Sequence, residues 1–183
     1  MDAVLLQRLA QITEEERELL QGRGVDRALY ASGRAFEVDA AKMLEKGKLM
    51  SIRSHTRFAP FPRHSHNYVE IMYMCRGKTV HRIDGAALVT LEAGELLFLN
   101  RHASHAIQRA DAGDIAVNFI VLPQFFDEAF NMAGMDNVLS RFLLGELYTG
   151  GAAVSYLHFR VREVLPVQNL VENMVWTLVN RQP

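Results

Sequence analysis

The chain has 183 residues, of which 49% are hydrophobic and 22% charged, with 20 basic residues set against 21 acidic ones. That is an ordinary soluble-domain composition: no apolar run approaches the roughly 20 residues a membrane span needs, and the near-zero net charge excludes a chain built mainly to grip nucleic acid, which requires a basic patch. The single cysteine, Cys75, excludes an internal disulfide framework and fits a reducing cytoplasm, and the acidic N-terminal stretch is not a secretory signal.

Residues 2–21 read as a helix, with Leu5, Leu9 and Ile12 recurring at three- and four-residue steps. Thr13 followed by Glu16 has the spacing of a capping box that restarts the helix after a kink. Gly22 and Gly24 break it, and the acidic run Glu14–Glu18 reads as a solvated face. A short second helix near 40–45 ends at Gly47. From Lys48 to Leu122 the texture changes to short runs rich in Val, Ile, Tyr, Phe and Leu, separated by turn residues. These predict strands at 49–57, 67–75, 78–84, 87–91, 95–99, 105–109 and 114–121, with Asp84-Gly85 as a tight hairpin. Many short strands at spacings near ten residues indicate a sandwich or barrel rather than alternating βαβ units. The arginines Arg53, Arg57 and Arg63 read as a solvated strand face.

After Pro123 the helical period returns. Phe125, Phe126, Ala129, Phe130 and Ala133 form one stripe closed by Gly134, and Asp136 is placed to cap a second helix carrying Leu139, Phe142, Leu143 and Leu147. A strand is expected at 156–161. The last element, 166–181, has proline at its start and the stripe Val167, Leu170, Val171, Met174, Val175 and Leu178. That face is too apolar to stand alone in water. It packs on the barrel, on the preceding helices or on a second copy of the chain. The expected organisation is therefore a helical segment over 1–47, a β-barrel over 48–122 and a helical packing or dimerisation segment over 123–183.

The residues that carry chemistry start at His64-Ser65-His66-Asn67-Tyr68-Val69-Glu70, with Gly77 seven residues further on. Side chains alternate faces along a strand, so 64, 66 and 70 share one face and point two imidazoles and a carboxylate at one region. His105 sits on a later strand. Three neutral histidines and a carboxylate are a donor set for Zn, Fe, Mn or Ni, for the polar floor of a ligand pocket, or for a hydrogen-bonded structural cluster. Tyr68, Met72 and Met74 fall on the same face and either line a cavity or pack a core. His55, His81 and His102 read as surface or rim residues, and Cys75, on the opposite strand face, as a small packed hydrophobe.

These residues resemble the motifs of the cupin superfamily. The first, G-x5-H-x-H-x3-E-x6-G, is matched by His64, His66, Glu70 and Gly77, with Phe58 where the opening glycine would stand. The second, G-x5-P-x-G-x2-H-x3-N, is matched by Gly94 and His105, with Asn100, His102 and Arg109 at the positions of its Pro, Gly and Asn. More narrowly, FPRHSHNYVEIMYMCRGKTVHRIDG, then LEAGELLFLNRHASHAI, then a helical tail, resemble the N-terminal domain of AraC-type transcription regulators. The resemblance implies a mainly β chain, a cupin double-stranded β-helix with helices at both ends. It also implies a cytoplasmic, non-enzymatic sensor that binds a small metabolite, a sugar among the candidates, within the barrel. His64, His66, Tyr68, Glu70, Met72 and His105 are then the candidate ligand-binding residues. No cofactor is required, and a divalent transition metal on His64, His66, Glu70 and His105 is the candidate exception. Val167, Leu170, Val171, Met174, Val175 and Leu178 would be the seam of a homodimer. DNA would be reached only through a C-terminal helix-turn-helix domain, which this chain lacks. The alternatives are a metal-dependent cupin oxygenase or isomerase using the same four ligands, and a sugar-binding cupin with no regulatory role. Motifs for a serine nucleophile or a phosphate loop are absent from the sequence.

Overall fold

A computed structural model describes residues 1–126, 137–145, 147–149 and 152–180. The residues expected to continue the stripe after Phe126 (Ala129, Phe130 and Ala133), the break at Gly134 and the cap at Asp136 lie outside them. In chain order the elements begin with α1 (Ala3–Leu9), α2 (Glu14–Leu20), β1 (Glu37–Val38) and α3 (Ala40–Met43). The strands β2 (Met50–Ser54), β3 (Phe61–His66), β4 (Val69–Arg76), β5 (Lys78–Ile83), β6 (Ala87–Glu92), β7 (Leu96–Leu99), β8 (His105–Ile107) and β9 (Ile115–Val121) follow. The chain then forms α4 (Val138–Leu143), β10 (Tyr148–Thr149), β11 (Ala152–Ala153), β12 (Tyr156–Phe159) and α5 (Leu165–Val179).

Ten of the strands assemble into two five-stranded sheets, ordered β1-β3-β8-β5-β6 and β12-β7-β4-β9-β2, and β10 and β11 pair with each other. The two large sheets face each other as the cupin jelly roll, with helices at the ends. The predicted strand across 67–75 begins later than expected, because the histidine run belongs to a strand of its own. Asn67 and Tyr68 form a corner: β3 pairs with β8 in the first sheet, and β4 pairs with β7 and β9 in the second. The His64/His66 pair and Glu70 therefore approach the interior from different sheets, not from one strand face. β1 and β12, from either side of the 48–122 run, complete the sheets.

Period-two alternation then sorts the side chains. On β4, Met72 and Met74 turn inward to meet Leu97, Leu99, Ile83, Val89 and Leu91, filling one end of the barrel with hydrocarbon. Val69 and Tyr73 turn outward, where Leu5 and Leu9 of α1, Phe142 of α4, and Val171 and Val175 of α5 cover the same sheet. The last helix thus divides its stripe. Val171 and Val175 are spent on the chain's own core, while Leu170 and Met174 remain 65% and 42% exposed. Val167 and Leu178 pack at its margin.

Thr13 caps α2 through a capping box with Glu16, as its spacing predicts. The acidic run is not a uniformly solvated face, however, and Arg57 is not on a solvated strand face. Glu16 and Arg57 are both buried and joined at 2.6 Å. The guanidinium also donates to the carbonyls of Ala10, Gln11 and Ala112. A charge is tolerated inside only when paired and hydrogen-bonded, and here one arginine fastens the N-terminal helices to the barrel.

Two turns explain positions in the motifs. Gly77, between β4 and β5, has φ of +79°, and a Cβ there would run into the Asp114 carboxylate and lie 3.0 Å from Asp114 Cα. That carboxylate accepts from the Lys78 and Asp111 amides, so it has no room to yield. Gly77→Ala is expected to lower stability by about 1–3 kcal/mol through left-handed strain and loss of this clamp, read as a fall in thermal midpoint with the ligand response retained. Phe58, at the glycine position of the first motif, adopts φ of +72°. The backbone keeps the conformation that glycine would supply, and the side chain bears the strain.

Candidate functional site in the barrel

Five of the seven histidines are buried: His55, His64, His66, His81 and His105. Register explains the convergence. On β3 and β8, His64 and His105 are directly opposed, and their rings lie 4.2 Å apart. On β5, Ile83 opposes His105, so His81, two residues away, is its diagonal neighbour on the same face. The two rings lie parallel at 5.8 Å. His81 and His55 are therefore interior residues, not rim residues. The signal for His81 was available in the charged positions Lys78 and Arg82, whose parity leaves 79, 81 and 83 for the inside. His102 is exposed, as expected.

Glu70 arrives from β4. Its Oε1 accepts from Asn118 Nδ2 at 2.9 Å, and its Oε2 lies 3.3 Å from His105 Nε2. His64 Nδ1 is 2.9 Å from the Pro62 carbonyl oxygen, and His66 Nδ1 is 2.7 Å from that of Tyr68. A carbonyl only accepts, so both Nδ1 atoms carry the proton, and each neutral ring keeps its lone pair on Nε2. Neutrality follows from burial. Desolvation, followed by the neighbouring His105, pushes His64 down to about 3. Desolvation likewise brings His105 and His55 to about 4 and lowers His66 and His81. Cys75, packed on the outer face of the sheet, is pushed up to about 12 by burial and holds its proton.

Above this cluster is a cavity of about 40 Å³, walled by Phe61, Tyr68, Ile107 and Ile120, with Tyr30 and Arg53 also in its lining. The residues named from sequence are distributed as follows. His64, Tyr68 and Glu70 line the cavity, and His105 contacts His64 and Glu70. His66 stacks on Tyr68 with its Nε2 buried, and Met72 lies in the apolar end of the barrel. Sequence reading missed His55, Asn118, Tyr30 and Arg53. Asn118 could have been suspected as a polar residue at an inward position of an otherwise apolar strand.

Among the described residues, the buried side-chain polar atoms without a hydrogen-bond partner are His66 Nε2, Glu70 Oε2, His81 Nδ1, both ring nitrogens of His105, and Asn118 Oδ1. All six belong to this interior. One ligand atom each from His64, Glu70 and His105 falls within 4.8 Å of the others, which is metal-ligand spacing with two imidazoles and a carboxylate. His66 is not in that group. Asn100, at the motif position of a proline, serves the architecture instead: its amide donates to the carbonyls of Phe142 and Val154, tying the turn before β8 to the C-terminal segment.

Residues 50–130 match the family model of the AraC-like ligand binding domain. Apo ToxT from Vibrio cholerae, a variant form, superposes with a TM-score of 0.52 at 14% identity, over 73% of this chain and 49% of that one. Unsaturated fatty acid bound ToxT gives a TM-score of 0.46 at 11% identity, over 68% of this chain and 45% of that one. KdgF from Halomonas sp. gives 0.34 at 16% identity, over 39% of this chain and 68% of that one. The chain thus spans about half the length of ToxT. No curated protein sequence matches it. Among the described residues no helix is long and apolar enough to cross a membrane. Residues 50–130 are thus similar to the AraC-like ligand binding domain.

Proposed function

We propose that the chain is the ligand-sensing part of an AraC-type transcription regulator and that it holds a small molecule in the barrel against His64, Glu70 and their neighbours. The observation that carries this reading is the set of six partnerless polar atoms in one interior. Buried polar groups are nearly always hydrogen-bonded, and leaving each one unmet costs about 1–3 kcal/mol. A ligand that meets several at once recovers that cost, which makes the apo barrel receptive. The reading is non-enzymatic: DNA is engaged through a helix-turn-helix domain elsewhere in the regulator, and ligand binding biases the regulator by its differential affinity for two states.

The cavity limits what enters. Its 40 Å³ holds about three water-sized groups, so a sugar ring requires the mouth to open, whereas a small head group does not. A thermal-shift screen of sugars, sugar acids, amines and aromatic metabolites tests the proposal. A ligand is expected to raise the midpoint with dose, by mass action, and His64→Leu is expected to abolish the rise. A ligand whose effect survives both His64→Leu and Glu70→Gln contradicts the proposal.

A second reading, a divalent metal, is favoured by the 4.8 Å grouping of His64, Glu70 and His105. These residues would hold the ion, with His64 Nε2 already freed by the Nδ1 anchor, and a bound ion would supply Lewis-acid polarisation of a ligand oxygen. A stoichiometric metal in protein purified without added metal, lost in His64→Ala/His105→Ala, identifies this case.

For the homodimer, the outward residues of α5 are the ones available. Leu170→Glu with Met174→Glu is expected to convert a dimer to monomer with little change in the thermal midpoint of the isolated fold. Val175→Ala is expected to cost about 1–2 kcal/mol of stability without changing the assembly. Sedimentation analysis and melting separate the two. A dimer unaffected by the double substitution places the seam elsewhere.

A further inference from the structure

The floor of the pocket is rich in buried acceptors without a partner. Glu70 Oε2 and Asn118 Oδ1 are buried acceptors without a hydrogen bond, His105 Nε2 lying 3.3 Å from Oε2. The amide of Asn118 cannot turn to replace Oδ1 with its nitrogen, because Nδ2 already donates to Glu70 Oε1 at 2.9 Å. His64 and His66 are locked by the carbonyls of Pro62 and Tyr68 in the tautomer that leaves Nε2 as an acceptor. Among the buried atoms without a partner, Glu70 Oε2, Asn118 Oδ1 and His66 Nε2 are acceptors, while the donors left over are one N–H of the His105 ring, the second amide N–H of Asn118 and, in the lining, the Tyr68 hydroxyl and the His55 ring. The nearby cations are already engaged: Arg57 is consumed by Glu16 and three carbonyls, and Arg53 lies over the Tyr30 ring and 3.9 Å from Glu15. The walls add the aromatic rings of Phe61 and Tyr68.

We infer that the group recognised at this floor is a small primary ammonium, its three N–H donors directed at Glu70 Oε2, Asn118 Oδ1 and the His64 ring. An –NH3⁺ group offers three donors and no acceptor, and aromatic faces favour a desolvated cation. A carboxylate in the same place would face the Glu70 carboxylate and the lone pairs of Asn118 Oδ1 and His64 Nε2. A quaternary ammonium would bring no donor. This assignment rests on the barrel being the ligand site, and it deepens that reading by naming the head group.

The test is thermal shift and calorimetry on the full chain, with n-propylammonium, n-propanol, propionate, tetramethylammonium and Zn²⁺ as probes. Propylammonium is expected to bind and to stabilise in a dose-dependent way, with the alcohol and the acid inert. Glu70→Gln is expected to weaken that binding at least about tenfold, the scale of a lost charge-assisted hydrogen bond. Should Glu70→Gln fail to fold, Asn118→Asp serves instead: a second carboxylate should tighten propylammonium binding, and unchanged or weaker binding overturns the inference. Propionate or propanol binding as well as the amine overturns the ammonium assignment but leaves the barrel as the ligand site. Zn²⁺ binding with no amine response overturns it in favour of the metal. Silence from every probe overturns it too, and a metabolite from the wider screen that still depends on His64 would show the ligand-site reading intact.

Discussion

Acidification from pH 7 to pH 4 is expected to unfold this chain, and the barrel histidines are expected to supply most of the effect. His55 and His105 fall from 6.5 to about 4 on folding, and His64 to about 3, chiefly because burial penalises the charged ring. The sign follows from linkage. Below pH 6.5 the unfolded chain takes up protons that the native chain refuses, so stability falls as the pH falls. The contribution is intact above the unfolded value and is lost progressively down to the folded values. At about 1.4 kcal/mol per unit, each of these histidines withdraws about 3–5 kcal/mol once protonated. Together they match the whole stability of an ordinary domain, about 5–15 kcal/mol. Glu16 contributes at lower pH. Burial opposes its charge, but hydrogen bonds from Arg57 and Thr13 outweigh it and lower the carboxyl, so its contribution disappears below about 4.5. Melting at stepped pH measures the slope. A steep fall between pH 6.5 and 5, made shallower by His105→Leu, is the expected result; a flat profile over that interval shows that the histidines are not desolvated.

Arg57→Met is expected to be the most damaging single substitution outside the barrel interior. It leaves the Glu16 carboxylate buried without its partner and frees the carbonyls of Ala10, Gln11 and Ala112. Breaking one side of a buried pair costs about 3–5 kcal/mol, which for a chain of this size lowers the midpoint by about 10 °C. The double change Arg57→Met/Glu16→Leu is expected to recover much of that loss, because replacing both partners removes the orphaned charge. Single and double variants measured by urea unfolding form the cycle. A double variant no more stable than Arg57→Met would place the cost in the lost carbonyl contacts instead. Amide exchange should show α1 and α2 opening first in the single variant, since this guanidinium bonds to both the turn after α1 and Glu16 of α2.

Much of this architecture was legible because it depends on short-range signals. The strand runs, the Asp84-Gly85 hairpin, the Thr13–Glu16 box and the proline start of α5 are local chemistry that tertiary packing had no reason to override. The motif spacing likewise brought His64, Glu70 and His105 to one interior. The rest depended on pairing. The corner at Asn67-Tyr68 looks like continuous strand in sequence, because sheet exchange is decided by which partners β3 and β4 find. His55 lines the cavity only because β2 extends alongside β9 in one particular register. Arg57 and Glu16 are each unremarkable surface residues until the fold brings them together across 41 positions. The split of the α5 stripe follows from the direction in which the helix meets the sheet, which a stripe of six apolar residues does not encode.

The central claim is that a ligand is held inside the barrel by the partnerless polar atoms there. The most direct measurement is a nitrogen-15 spectrum of the histidine side chains, with and without a ligand found in the screen. The Nε2 signals of His64 and His66 and the ring signals of His105 are expected to shift on binding, while His102, exposed at the turn before β8, stays unchanged. Tight binding that leaves the buried imidazoles untouched, or that moves only residues on the outer face of the sheet, would contradict the claim.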